Sequence, residues 1–382
     1  MIKLMHLIHG LSTGGAETLV KNYLLNLDKT RFDVVLVSLY HEKESPYEEI
    51  VEKSGVRIIF VEDLLFAKRR KGIVFRVIHK LNKYFVVRKI IKRESPDILH
   101  THLALNSMVK FARPGKKTVV FHTIHSDPRK LWFCNDRKRI RDYNAARWLV
   151  GHYDMIFIVL HEEMKNEIKK MFDVPDAVVL NNGVDVDKIK AAKNQKMIRN
   201  ELGIPIDAFV MGHIGRFSRV KNHAFLVDVF KEVAKRNSKA FLLMVGEGSD
   251  KKIVINKLNS GSLIGRYLIL DNRDDVPDLL GAMDAFVFPS LYEGLPLSLI
   301  EAQIARKPCF VSDRINEHAF ISNLVVKLSI ELSAAEWSDA LLAYEKPKRV
   351  LVDEKNWDIK KITKKLEQIY LDALDERKNG QK

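Results

Sequence analysis

At 382 residues, with 46% hydrophobic and 30% charged side chains, the chain has a globular composition and the length for two domains with separate cores. No apolar run approaches the roughly 18–20 residues of a membrane-spanning helix, which argues against a span. The net charge is +15, and two cysteines, Cys134 and Cys309, exclude a disulfide framework or a cysteine-rich metal module; a cytoplasmic setting is expected.

Taken in chain order, short apolar runs alternate with helical patterns. Strands are expected at 2–9, 33–39, 57–61, 98–102, 118–122, 155–160 and 177–180, then at 209–214, 240–245, 268–270, 285–288 and 308–312. Helices are expected at 17–26, 47–53, 162–171, 224–235 and 338–344. Repeated βα units predict parallel, doubly wound sheets. The N-terminal run ends in Gly10 without a small-residue cleavage site, so it reads as a first strand and not a signal peptide. The turn at Asn181-Asn182-Gly183 sets the expected boundary: a first domain at 1–180 and a second at 181–356. A helix at about 357–374 is expected to pack back on the first.

Between the first strand and first helix lies Gly10-Leu11-Ser12-Thr13-Gly14-Gly15-Ala16-Glu17. Its glycines permit a tight loop whose amides could face a phosphate, or a plain turn. It lacks the G-x-G-x-x-G spacing of a dinucleotide site. Residues 1–150 carry 29 basic against 15 acidic side chains, a net +14. The densest part runs from Lys68 to Arg93, with eleven basic residues and no acidic one. It reads either as the solvated face of a crossover helix or as a footprint for anionic lipid or a diphosphate-bearing acceptor. Nucleic acid ranks last, because the charges are not interleaved with stacking aromatics in a binding pattern.

His100-Thr101-His102 has metal-ligand spacing, but no further Cys, His or acid in the sequence pattern completes a set, so it reads as structural. His122, in Phe121-His122-Thr123-Ile124-His125, sits at a strand end. There it could be a hydrogen-bonded structural residue, or its charge or N–H could stabilise a reacting sugar. Asp185-Val186-Asp187 looks like a metal motif but follows a turn glycine, and reads as a helix cap.

In the second half, Arg216 and Lys221 of Gly215-Arg216-Phe217-Ser218-Arg219-Val220-Lys221-Asn222 follow a strand end, where doubly wound sheets bind ligands. A guanidinium fork and an ammonium suit a diphosphate leaving group, on which negative charge grows. The most informative stretch is 288–302. A strand runs into a Gly/Pro turn holding Glu293, and a helix opens at Pro296 with Glu301 eight residues past Glu293. Pro296 suits the first helical position, leaving the amides of Gly294, Leu295, Leu297 and Ser298 for an anion. The two carboxylates cannot also serve phosphate and are better placed to accept from hydroxyls. Phosphate plus hydroxyls means a sugar nucleotide.

Gly14-Gly15-Ala16-Glu17, Asn182-Gly183-Val184-Asp185, Gly215-Arg216 with Lys221-Asn222, Gly246-Glu247-Gly248, and 289–301 together resemble glycosyltransferase family 4 over nearly the whole chain. The resemblance is to bacterial enzymes of exopolysaccharide or capsule assembly. It implies the α/β GT-B fold: two Rossmann-like domains facing a central cleft, with acceptor on the first and nucleotide sugar on the second. It also implies retaining transfer from a nucleotide sugar without a metal ion; a UDP-sugar donor is expected, and no cofactor. Arg216, Lys221 and the amides at Gly294 and Leu295 would hold the diphosphate; Glu293 would contact sugar hydroxyls and Glu301 the ribose. Gly14 and Gly15 would close over the phosphate, and His122 would sit beside the reacting sugar. Leu270-Asp271-Asn272-Arg273 would be the base-binding loop, with Arg273 on the nucleotide, although most relatives have glycine at Asp271.

The expected acceptor is a growing, lipid-linked glycan, which the basic first domain would serve from the inner face of the plasma membrane. Other readings of the same residues stay open: a nucleotide-sugar epimerase, a phosphorylase, or a non-catalytic nucleotide- or glycan-binding regulator.

Overall fold

A computed structural model of the protein describes residues 1–42, 45–66, 73–132, 136–260 and 263–379, with side chains 73–76 excepted. Lys68, Arg69, Arg70 and Lys71, the side chain of Arg76, and Cys134 lie outside the described residues. The chain forms two compact units, Met1–Gly183 with Ile359–Lys382, and Val184–Asp358. Among the described residues no helix is long and apolar enough to cross a membrane.

Unit 1 is built on a parallel sheet: β1 (Ile2–Ile8), β2 (Phe32–Ser38), β3 (Arg57–Phe60), β4 (Ile98–His102), β5 (Val119–Thr123), β6 (Ile156–Val159) and β7 (Val178–Val179). Its order is β3-β2-β1-β4-β5-β6-β7. The central strands are buried almost end to end, as runs such as Leu4 to Leu7 and Val119 to Phe121 require when helices cover both faces. The closing helix Ile359–Asn379 belongs to this unit. It buries Ile362, Leu366 and Tyr370, accepts the Asp28 amide on Glu367 at 2.7 Å, and donates from Arg377 to the Lys116 carbonyl at 2.8 Å.

Unit 2 repeats the plan with β8 (Phe209–Ile214), β9 (Ala240–Val245), β10 (Tyr267–Leu270), β11 (Ala285–Phe288), β12 (Cys309–Ser312) and β13 (Val325–Leu328), all parallel, in the order β10-β9-β8-β11-β12-β13. The edge strand β13 escapes the sequence reading because Val-Val-Lys-Leu is short, half-buried and carries an exposed lysine, so neither a buried run nor clean alternation marks it. Asp185 caps the helix Val186–Lys190 through the Lys188 amide at 2.9 Å. In each sheet the order reverses once, between β1 and β4 and between β8 and β11. Ligands of doubly wound sheets bind at the carboxyl ends of such strand pairs.

Unit 1 also carries an unusual polar core. His6, His100, His102 and His122 are fully buried on adjacent strands. His6 pairs with His102 (Nδ1 to Nε2, 3.0 Å), and His102 with His125 (Nδ1 to Nε2, 3.1 Å). His100 pairs with the Tyr370 hydroxyl at 2.6 Å and the Thr123 hydroxyl at 2.7 Å. His6 is the third imidazole beside His100 and His102 that sequence spacing did not supply; register brings it opposite His100. Because both nitrogens of His100 and His102 are already hydrogen-bonded, the cluster reads as a neutral network rather than a ligand set.

Burial holds His6 and His122 near pKa about 3 and His125 near about 4. Their folded values lie below the unfolded value of about 6.5, so below that pH the unfolded chain binds protons the folded chain refuses. Stability should be whole above pH about 6.5 and fall toward pH about 4, by up to about 1.4 kcal/mol per pH unit per histidine. Urea midpoints recorded on descending pH check this; a flat profile would mean the imidazoles charge in place.

Candidate nucleotide-sugar site

The switch point of unit 2 gathers most of the residues singled out in the second half of the sequence. β8 and β11 pair only at Met211 with Ala285 and Gly212 with Phe286 before diverging. Beyond that, the buried His213 takes over the link, its Nδ1–H donating to the Val287 carbonyl at 2.8 Å. This bond fixes the tautomer and leaves Nε2 as a buried acceptor without a partner. Burial, with His223 and Lys221 nearby, pushes the imidazole well below its ordinary pKa, so it is neutral.

The loop after β8 is held from below by the loop after β9. Phe217 N–H donates to the Glu247 carbonyl at 2.8 Å and Asp250 N–H to the Phe217 carbonyl at 3.1 Å. Only glycine allows this approach: Gly246 and Gly248 have φ of 145° and 152°, and a Cβ would lie 2.3 Å from the Gly215 carbonyl and 2.2 Å from that of Phe217. Asn222, at φ 55°, reverses the chain into the helix His223–Arg236, a conformation asparagine tolerates better than most residues. Leu291 N–H then donates to the Val220 carbonyl at 2.8 Å, stapling the loop after β11 to the loop after β8.

On this frame Lys221 Nζ stands 2.8 Å from Glu293 Oε1 and 4.6 Å above the Phe288 ring. The two are close enough for an ion pair, but the angle leaves Glu293 Oε1 without a formed hydrogen bond. Ser290 Oγ is also buried and, among the described residues, without a partner. Arg216 is exposed and has no ion pair among the described residues. One cation of the loop after β8, Lys221, therefore meets a carboxylate of the loop after β11, which leads on to a helix start. That helix spans Leu297–Ile304, and no side chain caps it. Pro296 is its N-cap, with φ −74° and ψ 110°, one position earlier than expected: the ring's φ fits, but its ψ is extended. Gly294 and the buried Leu295 lie on the approach to it, and Glu301 is half-buried in its second turn.

Arg273 lies apart, after the edge strand β10, and both its hydrogen bonds go to Asp275, one of them at 2.7 Å. It is thus committed inside its own loop. The residue sequence reasoning missed is Lys251, which bridges Glu247 at 2.6 Å and Asp271, joining the loops after β9 and β10. Its partners stand four residues before it and twenty after it, and the latter spacing is not a signal in a linear chain.

Gly14, Gly15 and His122 belong to unit 1. Gly14 is the N-cap of the helix Gly15–Asn26, again without a side-chain cap, and Gly15 faces open space. His122 corrects an expectation. It is fully buried, Nδ1 pairs with the Thr101 hydroxyl at 2.7 Å, and Nε2 accepts from Asn106 Nδ2 at 3.2 Å. With both nitrogens engaged, it offers a reacting group no free N–H. His125, two residues past β5, is half-buried, with one nitrogen on His102. Strand alternation was the available signal: His122 points into the helical layer, whereas the residues just after the strand face the ligand edge.

Two family models match, Glycosyltransferase Family 4 over residues 13–188 and Glycosyl transferases group 1 over residues 194–379. The putative glycosyltransferase EpsF of Bacillus subtilis is 26% identical over 380 residues, covering 92% of this chain and 91% of that protein. The UDP-Gal:alpha-D-GlcNAc-diphosphoundecaprenol alpha-1,3-galactosyltransferase of Escherichia coli is 27% identical over 368 residues, covering 91% of each. Among solved structures, Anabaena HepE in complex with UDP and glucose superposes with a TM-score of 0.74 at 15% identity, covering 97% of this chain and 99% of that one.

Gly246→Ala should drive a methyl into the Gly215 carbonyl and cost about 3 kcal/mol, whereas Gly203→Ala, at φ 68° but in open space, should cost about 1 kcal/mol. Thermal midpoints of the two variants compare them directly.

Proposed function

The chain belongs to glycosyltransferase family 4, with a second half of the group 1 type, and from that membership we propose a retaining transfer of a sugar from UDP to a growing exopolysaccharide or capsule glycan. Its fold is GT-B, two parallel doubly wound units. The observation that carries the reading is the pairing of Lys221 with Glu293 at the β8/β11 switch, where the loop after β11 also holds the buried Ser290 hydroxyl and the loop after β8 the exposed Arg216.

On this reading the donor diphosphate lies along Arg216, Lys221 and the amides at Gly294 and the Leu297 helix start, while Glu293 takes sugar hydroxyls and Glu301 the ribose. The bond from the anomeric carbon to the phosphate oxygen breaks as the acceptor oxygen bonds to that carbon on the same face. The acceptor's proton passes to the departing phosphate oxygen. The growing charge is met by Arg216 and Lys221, so the step needs neither a protein nucleophile nor a metal ion. Glu293 positions the sugar, and Arg273 must leave Asp275 to touch the nucleotide. In unit 1, the candidates for contact with substrate are the Gly14–Gly15 loop and His125, not His122. The Escherichia coli relative, named for a diphosphoundecaprenol-linked acceptor, and the basic first half support a lipid-linked acceptor and peripheral attachment at the inner face of the membrane.

Calorimetric titration should give UDP binding in preference to GDP and ADP, lost in Arg216→Ala. With the cognate donor, that variant should lose about 3 kcal/mol of transition-state stabilisation, roughly a hundredfold in turnover. Near-wild-type turnover would remove Arg216 from the mechanism. His125→Ala should lower turnover on the order of a hundredfold with UDP affinity kept, while His122→Phe should mainly lower the thermal midpoint. The reverse pattern would return the role to His122.

A further inference from the structure

Three helices of unit 1, Ile73–Glu94, Asn106–Ala112 and Arg137–Tyr153, enclose a groove of about 750 Å³ that none of the residues above occupies. Its walls are apolar. Val77 and Leu81, each about half exposed, stand on the first helix, and Phe111 and Trp148 line the second and third. An exposed aliphatic wall of this kind marks an occupied surface.

Its charged lining is all of one sign: Lys80, Arg88, Lys110, Arg113 and Arg141 line it and, among the described residues, no carboxylate does. Arg88 is committed to the Phe111 carbonyl at 3.0 Å, but the other four have no ion pair among the described residues. Lys110 Nζ sits 5.4 Å over the Trp148 ring and Arg141 5.9 Å over that of Tyr84. Arg141, ahead of burial and Lys138, holds the Lys80 ammonium below its ordinary pKa, the mark of cations crowded without a counter-charge. Arg113 caps its helix in the left-handed region at φ 50°, a strained backbone for a non-glycine residue.

The groove is tied to the reactive edge of the same unit. Its floor residue Ser107 bonds the Tyr84 hydroxyl at 2.9 Å and passes its amide to Asp142 Oδ1 at 3.4 Å. Asp142 Oδ2 accepts from Asn106 Nδ2 at 3.0 Å, and that same amide reaches His122 at 3.2 Å. The carboxyl end of β5 and the groove thus share one hydrogen-bonded wall.

We propose that this groove binds the isoprenoid diphosphate of a lipid-linked acceptor, the chain along Val77, Leu81, Phe111 and Trp148 and the diphosphate between Lys80, Lys110 and Arg141. The inference rests on the lipid-linked acceptor of the preceding reading. Both halves of the ligand are needed to match the site. Buried hydrocarbon gains about 25 cal/mol per Å², and unpaired cations on aromatic faces suit a compact dianion. An aliphatic wall gives nucleic-acid bases nothing to stack on.

The test titrates the full chain, saturated with UDP so that the donor site is filled, with farnesyl diphosphate, farnesol and inorganic diphosphate. Farnesyl diphosphate should bind at least tenfold more tightly than either fragment. Leu81→Glu and Arg141→Glu, both at exposed positions, should each weaken it at least tenfold with UDP affinity unchanged, which also shows that the variants are folded. Equal binding of inorganic diphosphate, indifference to both substitutions, or no farnesyl diphosphate binding by a chain that sediments with phosphatidylglycerol vesicles would each overturn the groove. Failure of wild type to bind UDP would sink the enzyme reading instead, so the two failures are distinct.

Discussion

The imidazole of His213 bonded to the Val287 carbonyl is the contact on which the site of unit 2 depends. At a switch point two neighbouring strands must part, because the chains leaving them run to opposite sides of the sheet. Their ladder ends after two residue pairs, and an unpaired buried carbonyl there would cost about 1–3 kcal/mol. A side chain supplies the missing donor, so the parting strands stay tied one step beyond their ladder and the Val287 carbonyl is not orphaned. The staple from Leu291 to Val220 and the close approach of Gly246 to Gly215 have meaning only because these loops start from a fixed base.

A second constraint is the pairing of the opposite charges of Lys221 and Glu293. Both are mostly withdrawn from water, and each would be a poorly solvated lone charge without the other. A ligand that took only the ammonium would strand the carboxylate. On the proposed reading, a sugar diphosphate would bring an anion for one and hydroxyls for the other, whereas bare phosphate would leave the carboxylate unpaired.

Much of this was legible in the sequence because the second-half cations and carboxylates follow directly on buried strand runs. Arg216 comes two residues after β8, Glu293 five after β11, and the wholly apolar strands between them leave little doubt about the sheet. What could not be read were partnerships across long stretches of chain. Lys221 meets Glu293, His6 meets His102 and Asn106 meets Asp142 only once register is set, and β13 lacks both the length and the burial that mark a strand. His122 and His125 show the limit most clearly. Three residues separate a fully buried imidazole from a half-buried one past the strand, and only the true end of β5, at Thr123, tells them apart.

The crossing between the units has a further consequence. Val184 N–H donates to the Trp357 carbonyl at 2.9 Å, and Gly183 leaves no room for a Cβ against Ile359. The chain thus departs from unit 1 and rejoins it at a single place, which makes unit 2 a topological insertion whose ends already touch. Such a module can be grafted by recombination at one paired junction without breaking a strand of its host. A lineage could in this way exchange unit 2 wholesale while unit 1, with its groove and its histidines, is inherited unaltered.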